Sequence, residues 1–217
     1  MSSAVPAAAP NLVSMRDQLR LDLRDVAAEK WPDEALERHI LRAAAEYTRA
    51  CPDPQKTALT TTAGSRDVSV AGLTDLVRIE AVEYPTGQYP RRFVAWQTWQ
   101  TTLTLLVDTA PAAVEAVNVY WGRAHTCTTA ATSIPVADID LVLTGAAGFA
   151  AREWASYATN RANVDRAAVE RYLQLAEESL RHFHGEITRR PRTARLQQRF
   201  LYASEEHIAG ASTVVGP

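Results

Sequence analysis

Lysine is almost missing from this chain. Lys30 and Lys56 are the only two, and the remaining positive charge is arginine. Arginine's planar fork makes bidentate contacts that a lysine ammonium cannot, which suits protein interfaces. Cysteine is equally scarce: Cys51 and Cys127 lie far apart, with no CxxC pair and no zinc-type spacing. That pattern implies neither a disulfide framework nor a structural metal, and leaves two free thiols. No apolar run approaches the roughly 20 residues a membrane-spanning helix needs. Residues 1–10 are rich in Ala and Pro and lack the basic start and apolar stretch of a signal peptide, so they read as a disordered lead-in. A net charge of −2 argues against a globally basic nucleic-acid binder.

What is present is enough apolar sequence for one domain with an embedded subdomain: 217 residues, 47% of them hydrophobic. Leu12, Met15, Leu19, Leu23 and Val26 recur at helical spacing and predict a helix from Asn11 to Glu29, capped by Asn11. Pro32 suits the first position of a second helix, with Asp33 and Glu34 in its first turn. Leu36, Ile40, Ala43, Ala44 and Tyr47 form the apolar stripe of that helix, and Cys51-Pro52-Asp53-Pro54 ends it. These residues, 11–54, make a helical hairpin.

Residues 55–126 change character, with Thr, Val, Tyr and Trp between closely spaced turns, as in an antiparallel β subdomain. Strands are predicted at 56–62, 66–70, 77–84, 92–97, 101–107 and 115–121. Val77, Ile79 and Ala81 alternate onto one face, and Val117, Val119 and Trp121 onto another. Residues 134–185 return to helical spacing. A long helix runs from Pro135 to about Asn160, and a second begins after Asn163-Val164-Asp165. In the second, Val169, Leu173, Ala176, Leu180 and Phe183 form a coiled-coil-like seam, and Gly185 is a natural stop. Gly145 and Gly148, with Ala151, make a smooth surface on the long helix that suits close packing against a neighbouring helix or subunit. The fold class expected is α+β: a helical bundle of two N-terminal and two C-terminal helices, an inserted antiparallel β subdomain and an extended C-terminal arm.

The arm, 186–217, concentrates Arg189, Arg190, Arg192, Arg195 and Arg199 around Pro191, followed by Phe200, Leu201 and Tyr202. Ordering it costs roughly 1–2 kcal/mol per residue, which nothing inside it offsets. The arginines offer forked contacts and the aromatics offer anchors, so the arm reads as a docking segment for a partner. A plain disordered tail and an electrostatic nucleic-acid arm are the alternatives.

Motifs for chemistry are sparse. No Gly-rich phosphate loop, GxSxG elbow or HExxH occurs. His182, His184 and Glu186 are the densest metal-like cluster, but a spacing of two puts the histidines on different sides of a helix. Asp138 and Asp140 have a structural reason at a helix start. Trp96, Trp99 and Trp121 are expected in the core before any sugar-stacking platform. Neither catalysis nor a cofactor is expected.

The pattern resembles the head–tail connector, or adaptor, proteins of tailed bacteriophages. The residues that carry the likeness are an amphipathic first helix, Trp31-Pro32-Asp33-Glu34 opening a second with Leu36, Ile40, Ala44, Glu46 and Tyr47, and a strand-rich stretch. That stretch holds Thr60-Thr61-Thr62, Leu76-Val77-Arg78-Ile79 with Val82, and Val117-Asn118-Val119-Tyr120. The likeness spans about residues 11–185, and the large β insert departs from the mostly helical relatives. It implies a non-enzymatic virion protein, assembled in the bacterial cytoplasm, forming a homo-oligomeric and commonly dodecameric ring beneath the portal protein. Such a ring would extend the DNA channel, let double-stranded DNA pass without specific binding, and present a surface to a downstream tail or neck protein. The C-terminal segment would embrace the portal. Another neck or tail-completion role, and a DNA-binding module acting through the Arg cluster, are the competing expectations.

Overall fold

A computed structural model describes residues 10–159 and 165–190. The first helix, α1 (Leu12–Asp22), starts at a reciprocal cap: the Asn11 side chain accepts from the Ser14 N–H at 2.8 Å, and the Ser14 hydroxyl accepts from the Asn11 N–H at 2.9 Å. It is shorter than its apolar spacing predicts. Arg24 and Ala28 take positive φ, so the helix stops at Asp22 and Val26 is left exposed. The loop that follows is held by one carboxylate: Asp25 accepts the N–H groups of Glu29, Lys30 and Trp31. Arg20, buried beside it, donates to the carbonyls of Asp25 and Trp31 and to Asp33. This network turns the chain into α2 (Asp33–Ala50), with Pro32 as the N-cap, one position earlier than predicted. The stripe Leu36, Ile40, Ala43, Ala44 and Tyr47 is buried.

Seven strands follow: β1 (Asp53–Thr60), β2 (Asp67–Ser69), β3 (Leu76–Glu83), β4 (Phe93–Val94), β5 (Trp96–Trp99), β6 (Thr102–Leu105) and β7 (Ala116–Arg123). They form two antiparallel sheets, ordered β1-β7-β3-β4 and β2-β6-β5. An apolar layer joins the sheets, with Val68, Leu103 and Leu105 from one and Val82, Val117, Val119 and Trp121 from the other. The single strand predicted at 92–97 is divided at Ala95. Its first part pairs with β3 and its second with β6, so the chain changes sheets there. Simple alternation also fails in β3. Two register shifts, between Leu76 and Arg78 and between Ile79 and Ala81, bring Leu76, Ile79 and Val82, with Tyr84 just past the strand, onto the cluster between the sheets; Ile79 and the buried Ala81 keep their expected burial, and Val77 is outside that cluster. Trp121 is core, as expected, whereas Trp99 is 80% exposed beside the Gln100 turn.

The last helices are α3 (Val136–Thr159) and α4 (Arg166–Arg189), the latter capped by Asp165. The seam of α4 is carried by Tyr172, Ala176, Leu180, Phe183 and Ile187, and Leu173 is exposed. Gly185 does not stop the helix. Its φ is not positive, nothing crowds it, and α4 continues to Arg189. α3 packs on α1, α2 and α4, and all four helices share one core running from Leu12 to Ile187. The fold is thus α+β, a helical bundle with an antiparallel β insert. Among the described residues no helix is long and apolar enough to cross a membrane.

Candidate partner-docking site

The β insert leaves and rejoins the bundle through the paired strands β1 and β7, and the contacts there are tight. A Cβ at Gly122 would lie 2.4 Å from the Pro52 ring, so only glycine lets the two strand ends meet. His125 bridges the junction, one ring nitrogen 3.0 Å from the Cys51 carbonyl and the other 3.0 Å from the Ser133 hydroxyl. Arg123 pairs with Asp53 at 2.7 Å.

The C-terminus of α4 comes to this same junction. Arg190 caps the helix, its N–H donating to the Glu186 carbonyl at 3.2 Å. Its guanidinium pairs with Asp138 in the first turn of α3, and Asp138 also accepts from the Tyr47 hydroxyl at 2.5 Å. Three elements therefore converge on one carboxylate: α2 through Tyr47, α3 through Asp138 and α4 through Arg190. Burial raises the Tyr47 pKa and the nearby Cys51 thiol, with the Cys51 charge adding to the first and Arg190 opposing both. The two groups stay protonated at neutral pH, so the tyrosine acts as a donor. A cavity of about 410 Å³ opens beside this cluster, lined by Pro52, Pro54, His125, Pro135 and the groups just named.

The predicted docking residues divide here. Arg189 belongs to α4 and pairs with Glu186 at 2.9 Å, and Arg190 is its cap; neither belongs to an extended arm. Residues 186–190, expected to open the arm, belong to α4 and its cap. Arg192, Arg195, Arg199, Phe200, Leu201 and Tyr202 lie outside the described residues, as do the lead-in 1–9 and the predicted start of α4 at Asn163-Val164. Gly145 and Gly148 do the packing work predicted for the smooth face of α3, inside the subunit. A Cβ at 145 would meet the Phe183 ring at 2.9 Å, and one at 148 would meet the Leu180 side chain at 2.8 Å and its backbone nitrogen at 3.2 Å. Ala151 is fully buried on the same helix.

Asp138 was legible only as a helix-start acid, and no sequence spacing links it to Tyr47 or Arg190. The other candidates are placed as follows. His184 contacts Glu46 at 2.9 Å, and His182 is exposed. Among the described residues no group of three or more His, Cys, Asp or Glu could hold a metal. Asp140 accepts from Gln18 at 3.0 Å. No protein-family model matches this sequence, and no curated protein matches it.

Proposed function

We propose that the chain is a structural adaptor of a phage head–tail connector, attached to its portal partner by residues 191–217. The observation that carries this reading is the ion-paired anchor at the end of α4. Arg190, Asp138 and Tyr47 fix the point from which the remaining sequence departs, at the junction of the bundle and the β insert. A segment bearing Arg192, Arg195, Arg199 and the Phe200-Leu201-Tyr202 anchors is suited to a protein surface, where it would recover its ordering cost by burying aromatics. Because Arg190 is paired with Asp138 within the fold, the Arg cluster has one cation fewer to offer DNA than the sequence suggests.

In this reading copies of the chain form a ring, commonly of twelve, in the virion. The ring would continue the channel for double-stranded DNA and hand it to a downstream tail or neck protein. The bundle and the β insert would give each subunit two surfaces, one toward the portal and one toward the tail. Class averages of the protein mixed with isolated portal test it. The expected result is an added ring of density on one face of the portal; portal particles that never gain such density refute it.

A further inference from the structure

Trp99 belongs to the smaller sheet, β2-β6-β5, and its neighbours there are set by register. Asp67 of β2 pairs with Thr104 of β6, which pairs with Gln97 of β5; Ser69 pairs with Thr102, which pairs with Trp99. Residues paired across an antiparallel ladder share a face, and Val68 and Leu103, between the two rows, point into the core. The opposite face therefore presents two rows of three side chains. With strands about 4.8 Å apart and alternate residues ~6.8 Å apart, those rows cover roughly 10 Å by 7 Å, the footprint of one or two sugar rings.

The chemistry of this face is uneven. Among the described residues Trp99, 80% exposed, is the one large apolar side chain exposed in these three strands. Leu106, the next along the same side of the β6 chain, lies four residues beyond Thr102, roughly 13 Å away. The side chains that share the face with the indole are Asp, Ser, Thr and Gln. The Thr104 hydroxyl donates to Asp67 Oδ1 at 2.6 Å. The Trp99 indole N–H, the Gln97 amide and the Thr102 hydroxyl make no hydrogen bond among the described residues, so their bonding capacity is open. A flat apolar surface beside unspent donors and acceptors, with no cation, matches a molecule that has an apolar C–H face and hydroxyls around its edge.

We propose that this face binds a neutral pyranose saccharide, with Trp99 stacked on a sugar ring and Gln97, Thr102 and the Thr104–Asp67 pair bonding its hydroxyls. Other occupants fit it less well. Asp67, with no Lys or Arg among the six residues, repels a phosphate backbone. The centre of a protein interface is depleted in Ser and Asp and clusters its apolar anchors, whereas this indole stands alone in a polar surface. A bilayer is met by several apolar side chains together, commonly with basic ones beside them. The proposal holds whether or not the chain is a connector subunit.

The test is an NMR titration of the isotope-labelled full-length protein with cellohexaose, maltohexaose and chitohexaose, read at the indole N–H signals. The Trp99 signal is assigned by its loss in Trp99→Phe. At least one of the three sugars should shift it saturably while the signals of the buried Trp31 and Trp121 hold still. Followed at the backbone amides of Gln97–Thr104, Trp99→Ala should weaken binding of that sugar by about tenfold or more, and Gln97→Ala by about threefold. Both side chains are exposed, so both variants should fold. Tyr157→Ala removes an exposed aromatic from α3 and should leave the affinity unchanged. The proposal is overturned by no saturable shift with any of the sugars, or by a Trp99→Ala chain that binds as tightly as the wild type. It is equally overturned if the Trp99 signal moves only with protein concentration, as contact with a second copy requires, or only with phosphatidylcholine vesicles.

Discussion

The Phe183 ring of α4 occupies the space in which a side chain at Gly145 of α3 would stand, 2.9 Å from where its Cβ would be. Gly148 repeats the relationship one turn on, with Leu180. Gly145→Ala and Gly148→Ala should therefore destabilise the fold by about 1–2 kcal/mol. Overpacking costs typically 1–3 kcal/mol, and only about 0.5–1 kcal/mol returns as helix propensity. Gly185 lies in a helix with open space around it, so Gly185→Ala should stabilise by about 0.5–1 kcal/mol. Urea unfolding of the three variants checks both signs.

Asp25 is the keystone of the α1–α2 turn. It accepts three backbone N–H groups and lies 3.5 Å from the buried Arg20 guanidinium. Asp25→Ala leaves those donors unpaired and should cost about 3–5 kcal/mol, in the range for breaking a buried pair. Arg16→Ala, at a more exposed network on the same helix, should cost about 1 kcal/mol or less. Thermal melts distinguish the two.

His39 predicts a pH dependence. Its folded pKa lies below its usual 6.5, chiefly through burial, so the unfolded chain binds the proton more readily. The stability held by neutral His39 is complete above about pH 7 and is lost as pH falls through 6.5 toward the folded value, by up to about 1.4 kcal/mol per unit. His39→Gln should flatten this slope between about pH 7 and 5. A variant melting curve as steep in pH as that of the wild-type chain would contradict the assignment.

The anchor at the end of α4 makes a separate prediction. The Arg190–Asp138 pair is partly buried, so Asp138→Asn should cost about 1–2 kcal/mol, between the values for exposed and buried pairs. Amide exchange at Thr188–Arg190 should accelerate before the rest of α4 responds. Uniform acceleration along the helix would show that the pair does not act locally.

Much of this architecture is readable from spacing. The stripe of α2 and the Val117-Val119-Trp121 face of β7 follow directly from their periods, because each lies in a regular element with one buried side. Errors collect where a local event breaks the period. Positive φ at Arg24 ends α1 seven residues before its predicted end, two bulges re-aim β3, and a change of sheet at Ala95 cuts one strand into two. Gly185 misleads in the opposite direction, because a glycine stops a helix only when the chain adopts the left-handed turn it permits. The candidate site was less legible. The arginines at 189 and 190 stood out in sequence, but their carboxylate partners lie one turn back on α4 and across the fold on α3. Arg42 of α2 and Arg152 of α3 come to line one cavity only through tertiary packing.

The central claim concerns residues 191–217, and co-sedimentation with portal-bearing capsids lacking tails tests it most directly. A chain ending at Arg190 keeps the whole of α4 and its Asp138 anchor, so it should melt like the full-length protein. The account predicts that the full-length chain pellets with the capsids and that the folded truncated chain stays in the supernatant. Equal pelleting of the two would contradict it.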